Sequence, residues 1–302
     1  MKTVSVACLV AATLVLGHLR LTAAETVRFR YLASVYVDDK EAGLNRPEGI
    51  ACGGGGQFVV GDTGNGRLLR FTYRDKTVSG GSEIRIPQVP APSRVQLNSK
   101  GEIYVLDGKQ RRIAHLGPDG GFKAVLAFDG VPPPATIVPK SFTIDPADNI
   151  YVLDVFSARV LALNAQGKFQ RALAFPGDAG FGSDVAVDPA GTIFLLDSIK
   201  RRMFSAEKDA DAFVPLGGDL SAWLVTLPSY MTASKGVVFV VEGGGSGIVA
   251  LGRDGSFLSR QLTMGGEEGS LNHPSQMCIN DKDEVFIADR DNSRIQVFQL
   301  IR

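Results

Sequence analysis

Short apolar stretches of four to seven residues alternate with polar turns along almost the whole of this 302-residue chain. Residues 139–175 show the pattern most plainly. Ser141 to Ile144 predicts a strand and Asp145-Pro-Ala-Asp-Asn149 a turn. Ile150 to Leu153 predicts a second strand and Arg159 to Leu163 a third. Asn164-Ala-Gln-Gly167 reads as another turn, and Phe169 to Phe175 as a fourth strand. Strands this short, joined by such turns, make an antiparallel meander. The neighbouring stretches 92–128 and 183–216 repeat it, as do 46–86, 228–262 and the chain from 274 onward.

The units share a register mark. An acid ends each second strand and, in five units, an arginine opens the third strand five positions later. The pairs are Asp62…Arg67, Asp107…Arg112, Asp154…Arg159, Asp197…Arg202 and Asp289…Arg294, with Glu242…Gly247 as a degenerate copy. The acids are 45, 47, 43, 45 and 47 residues apart. A period of this length suits either helical repeats or four-stranded blades. Apolar positions at helical spacing are too few for helices, and Gly or Pro interrupts every several residues. The prediction is therefore all-β: a six-bladed β-propeller over residues 25–302. The sixth unit stops after its third strand, at Arg302. Within the strand-like stretch Val27 to Val37, Phe29 to Val35 matches Phe169 to Phe175 in place and character, and the stretch is expected to complete the last blade. Closing the ring in this way leaves only short, protected edges.

The repeated acid–arginine pairs read as structural turn pairs, because a catalytic group is rarely needed five times. A guanidinium fork on a partly buried carboxylate is directional as well as attractive. Each pair can meet across its turn or reach toward a neighbouring blade. The fifth unit lacks the arginine, so that blade is expected to be loosened or specialised for a partner.

The first 24 residues stand apart from the pattern. Lys2 precedes an uncharged apolar run from Val4 to Gly17, and Thr22-Ala-Ala24 offers small residues for cleavage. This reads as a secretory signal peptide, and the run is short of the ~20 residues that span a bilayer. No other stretch is long and apolar enough to cross. The remaining chain carries 30 basic and 32 acidic residues, a net of −2, which is unlike a nucleic-acid binder. The expected location is periplasmic or extracellular. Hydrophobic residues make up 44% of the whole, ample for a core, and 35 glycines and 15 prolines favour turns.

Two segments carry a family resemblance. Pro47-Glu-Gly-Ile-Ala51 followed by Asp62…Asn65-Gly-Arg67 resembles an NHL repeat. So does His273-Pro274 followed by Asp289-Arg-Asp-Asn292-Ser-Arg294-Ile-Gln-Val-Phe298. The resemblance implies a six-bladed propeller and leaves activity open, since the family includes both binding proteins and enzymes. Amidating lyases that share the repeat use zinc held by several histidines. Here only His115 and His273 follow the signal peptide, at different levels of their units, which argues against that chemistry. Lactonases of the gluconolactonase type hold calcium through Glu, Asp and Asn at the channel. Glu48 and Asp184 would supply two oxygens, but the aligned ring contains no Asn.

Aligning the units on the proline, or proline-like residue, at the head of each innermost strand gives a ring of positions at the channel mouth: Gly49, Arg94, Ser141, Asp184, Tyr230 and Gln276. One residue earlier lie Glu48, Ser93, Lys140, Ser183, Ser229 and Ser275. Of these, Glu48, Arg94, Lys140, Ser141, Asp184, Tyr230 and Gln276 are the expected ligand-binding residues, on the principle that concave sites carry a few convergent polar groups. Lys109-Gln-Arg111 and Lys200-Arg201 add basic turns suited to an acidic partner or a sugar acid. Asp38-Asp39 and Glu267-Glu268, on the same face, oppose a uniform basic patch. Cys52 and Cys278 fall on innermost strands of neighbouring blades and point toward each other's blade, so either a disulfide or two buried thiols fits. The expected function is a non-catalytic exported scaffold that holds a protein partner or carbohydrate on the loop face. The alternative is a propeller hydrolase or lactonase with a channel-bound divalent ion, calcium being the candidate cofactor. A subunit of an envelope complex is a further reading.

Overall fold

Six four-stranded antiparallel sheets are arranged in a ring. The computed structural model describes residues 27–302; the signal-peptide expectation for residues 1–24 lies outside them. Blades 1 to 5 are consecutive meanders whose innermost strands are Gly49–Cys52, Pro92–Leu97, Pro139–Ile144, Gly182–Val187 and Pro228–Ser234. Blade 6 is composite. Met277–Ile279, Glu284–Asp289 and Arg294–Ile301 are joined on the outside by Arg28–Val35, which pairs antiparallel with Arg294–Ile301. The ring is thus closed by chain ends, as the sequence pattern predicts. No helix among the described residues is long and apolar enough to cross a membrane.

The core consists of six apolar clusters, one in each gap between adjacent blades. This explains the second strands. Ile103–Asp107 and Ile150–Asp154 share the sequence Ile-Tyr-Val-Leu-Asp, and every residue in both is buried. A strand sandwiched between two neighbouring sheets buries both faces, so it reads as a continuous apolar run instead of an alternation. The outermost strands face water and do alternate, as in Phe169–Ala174. At the closure, Phe58 of blade 1 meets Phe286 of blade 6 with ring centroids 4.7 Å apart. Cys52 and Cys278 are joined by a disulfide across the same gap, with Cα atoms 5.7 Å apart.

The acid–arginine pairs prove to fasten the loop that leads into each blade. Asp62, Asp154 and Asp289 accept from the leading-loop amides of Asn45 (2.7 Å), Val138 (3.0 Å) and Asn272 (2.6 Å). Their arginines reach them directly: Arg67 Nε at 2.8 Å, Arg159 Nε at 3.1 Å and Arg294 Nε at 2.7 Å. The guanidinium then continues to the same loop, Arg159 donating to the Pro132 and Pro134 carbonyls and Arg294 to those of Glu267 and Ser270.

Two pairs and the degenerate copy differ from expectation. Asp107–Arg112 and Asp197–Arg202 face each other in the strand register, but their side chains do not pair. Asp107 turns to two amides of its own turn, those of Lys109 and Gln110. Asp197 accepts from the Ile199 and Lys200 amides of its own turn and also from the Gly180 (2.6 Å) and Phe181 (3.1 Å) amides of its leading loop. The arginines still hold their leading loops, Arg112 through the Gln88 carbonyl (2.7 Å) and Arg202 through the Asp178 carboxylate (3.0 Å). Blade 5 has not lost its fastener. Arg260, on the outermost strand, brings its guanidinium to 3.6 Å from Glu242 and donates to the Leu224 carbonyl. Position 247 must be small for this, because a Cβ there would lie 2.9 Å from Arg260 Nη2.

Candidate functional site

The residue that heads the innermost strand, a proline in blades 2, 3 and 5 and Gly182 in blade 4, is followed by an irregularity. In blades 2 to 5 the register slips between Pro92 and Arg94, Pro139 and Ser141, Gly182 and Asp184, and Pro228 and Tyr230. A bulge places one extra residue opposite its partner strand and re-aims the local side chains. Here it splits the mouth into two tiers. The bulged serines donate to the carbonyls of the second strand: Ser93 to Leu106 (3.2 Å), Ser183 to Leu196 (3.2 Å) and Ser229 to Val241 (3.4 Å). The upper tier, Glu48, Ser93, Lys140, Ser183, Ser229 and Ser275, lines a funnel of about 410 Å³. The size suits a small ligand or a side chain.

The lower tier is the floor beneath the funnel. Ser141, Asp184, Tyr230 and Gln276 are buried and bonded across the axis, so the structure places four of the seven expected ligand positions out of reach of the mouth. Gln276 of blade 6 accepts from Ile50 N (3.1 Å) in blade 1 and Val95 N (3.2 Å) in blade 2, and donates to Val95 O (2.9 Å). Asp184 of blade 4 accepts from the Ser141 hydroxyl of blade 3 and from Met231 N of blade 5 at 2.6 Å. Arg94 spans the channel from blade 2, donating to Ser229 O (3.2 Å) of blade 5 and lying 5.3 Å above the Tyr230 ring. Buried polar groups satisfied in this way rigidify the structure they cross. Burial raises the Asp184 carboxyl to about 6 against the opposing field of Arg94. Burial, reinforced by Asp184, raises the Tyr230 phenol to about 12.

The funnel is cationic. Arg94 forms its base, and Lys140 and Arg111 line its sides. Arg290 is there too, but is paired with Asp291 at 3.0 Å. Among the described residues, Arg94, Arg111 and Lys140 have no carboxylate within ion-pair distance, and Arg94 Nε is buried with no hydrogen-bond partner. Glu48 is the one carboxylate in the lining. Burial, then the proximity of Arg94 and Arg111, lowers the Lys140 ammonium below its ordinary value. An anion would relieve that crowding of like charge.

The residues fit a calcium ion poorly. Both Asp184 oxygens already accept hydrogen bonds, and the nearest charges above are cations. Of the two histidines, His273 lines the funnel at 3.2 Å from Asp291, while His115 bonds Glu102 within blade 2. Of the basic turns, Arg111 reaches the funnel, while Lys200 donates to the Asp178 carbonyl in the leading loop of its own blade. Phe181, Leu227 and Ser198 also line the funnel, and the sequence pattern did not mark them. Phe181 is a large apolar residue in an otherwise small and polar loop, which is the signal that would have found it; Leu227 ends an apolar loop that the strand pattern did not use.

The family model for the NHL repeat matches residues 44–71 and 271–298, the two segments that flank the ring closure. With the six blades in place, the chain is an NHL-repeat six-bladed β-propeller. It is similar to the solved virginiamycin B lyase from Staphylococcus aureus, with 13% identity over 91% of this chain and 100% of that one, at a TM-score of 0.63. It is also similar to a gluconolactonase from Xanthomonas campestris, at 14% identity, 92% and 96% coverage and a TM-score of 0.64. A chain of a nidogen/laminin complex matches at 15% identity, 83% and 99% coverage and a TM-score of 0.61. At such identities the likeness is one of fold. No sequence among the curated proteins matches.

Proposed function

We propose that this protein is an exported binding scaffold whose loop-face funnel holds an anionic group, a carboxylate of a sugar acid or of a protein side chain. The observation that carries this reading is the set of three cations without ion-pair partners, Arg94, Arg111 and Lys140, around a funnel of about 410 Å³ with a single carboxylate, Glu48. Cations gathered in a concave, partly desolvated site attract anions far more strongly than the same charges spread over a surface. The rigid floor supports the reading, because pre-formed sites lose less freedom on binding. Export is supported by the apolar N-terminal run and by the Cys52–Cys278 bond, a pairing at home in oxidising compartments.

The metal-dependent hydrolase finds less support in these residues. It would need oxygen ligands where the funnel presents ammonium and guanidinium groups. Isothermal titration with galacturonate and with neutral galactose tests the reading. Galacturonate should bind at least about tenfold more tightly, and Lys140→Gln and Arg111→Gln should each weaken it severalfold while leaving the fold intact. Equal binding of the two sugars, or binding of neither, would count against the proposal.

A further inference from the structure

Large apolar side chains are exposed very unevenly over this molecule. Eight of them lie in the leading loops and turns of the funnel face, four more on outermost strands, and Ile301 at the end of the third strand of blade 6; among the described residues the loops of the opposite face expose none. Five of the eight gather over blades 3 to 5: Phe156 (59% exposed), Phe181 (42%), Ile199 (67%), Leu224 (74%) and Leu227 (51%). The loops that bear four of them, in blades 4 and 5, are joined. Ser198 N donates to Phe181 O at 3.2 Å, and Leu220 N to Arg201 O at 2.8 Å. Phe181 and Leu227 also line the funnel, so the crescent and the cationic site are one continuous surface.

Leu224 stands out within it. Its backbone is left-handed, with φ of 61°, a conformation that glycine adopts freely and a bulky side chain does not. Both the backbone and the solvent disfavour leucine here. Residues kept in such conformations cluster at ligand sites. Two carboxylates in the arc are already engaged, Asp178 with Arg202 at 3.0 Å and Asp219 with Ser221 N at 2.8 Å.

We propose that this crescent and the funnel together dock an extended segment of another protein, one that presents an acidic side chain flanked by large apolar ones. The acid enters toward Arg111 and Lys140, and its apolar neighbours cover Ile199, Leu224 and Leu227. This rests on the anion-binding reading of the funnel and names its partner class. Charge selects the acidic residue, and the aliphatic character of three of the five side chains favours a peptide over a polysaccharide. Sugar rings stack on flat aromatic faces, which Ile199, Leu224 and Leu227 do not offer. A contiguous exposed apolar patch rimmed by polar groups marks a protein interaction site.

The test is selection of a displayed random-peptide library on the full chain, followed by fluorescence anisotropy of the selected peptides. They should carry Asp or Glu beside Phe, Leu, Ile or Trp. Binding should weaken by about tenfold both in the double variant Ile199→Ser/Leu224→Ser and in Lys140→Gln. Galacturonate should bind the double variant as it binds the unaltered protein, which shows that the variant is folded and its funnel intact. Peptides without that signature, or peptides that bind the double variant undiminished, overturn the proposal. Oligogalacturonate whose binding falls in the double variant overturns it in favour of a polysaccharide. Failure of galacturonate to bind the unaltered protein strikes the funnel reading itself, whereas galacturonate binding without peptide binding strikes only this inference.

Discussion

Asp184 is the residue on which pH acts most directly. It sits at the centre of the floor with both oxygens bonded, yet burial raises its carboxyl to about 6. The folded protein therefore holds the proton more tightly than the unfolded chain, whose carboxyl titrates near 4. The stability from this group is fully present below about pH 4 and is lost as pH rises through about 6. Relative to Asp184→Asn, the unaltered protein should lose up to about 3 kcal/mol between pH 4 and pH 7 in denaturant unfolding. A difference that stays constant with pH would contradict the assignment. The prolines ahead of the inner strands in the other five blades, with Gly182 in the same place in blade 4, made this tier legible in the sequence, because they align the blades. Which of two adjacent residues faces the funnel was not legible. The bulge that decides it leaves no mark of its own, with Lys140 in one blade where three others have serine.

At the scale of the blade, the recurring device is a guanidinium that ties the leading loop to its own sheet. Arg159→Ala should destabilise by about 3 kcal/mol, since it leaves Asp154 buried without its cation. Arg112→Ala should cost about 1 kcal/mol, because it removes one bond to a carbonyl. Equal losses in chemical denaturation would show that the direct pairing is immaterial. Arg260→Ala should be destabilising as well, although Arg260 is off the repeat, because it would leave Glu242 buried and unpaired. Spacing revealed the pairs of blades 1, 3 and 6 because both partners flank one tight turn. It concealed the substitute in blade 5, which comes from the next hairpin and is announced only by the glycine at position 247. Nor did spacing show that Asp107 would turn to the amides of its own turn, or that Asp197 would hold its leading loop through amides without its arginine.

The whole molecule is a ring closed in three ways: within blade 6 by the strand Arg28–Val35, and across the gap between blades 6 and 1 by the aromatic contact of Phe58 with Phe286 and by the Cys52–Cys278 bond. Cys52→Ser/Cys278→Ser should lower stability by about 2–4 kcal/mol without opening the ring, since the other two closures persist. Loss of folding in that variant would mean that the strand closes the ring only with help. The ring and its closure were legible because a fixed period and a missing fourth strand are properties of the chain as a whole. The two-faced character of the disc was not, because it depends on single apolar residues in turns, such as Phe156 and Ile199, that belong to no periodic pattern. The proposed function puts the ligand in the cationic funnel on this face. A crystal structure of the protein soaked with galacturonate tests it most directly. The account predicts the sugar in the funnel, its carboxylate within hydrogen-bonding distance of Lys140 or Arg111. Galacturonate seated on the opposite face or along the outer strands, with the funnel empty, would contradict it.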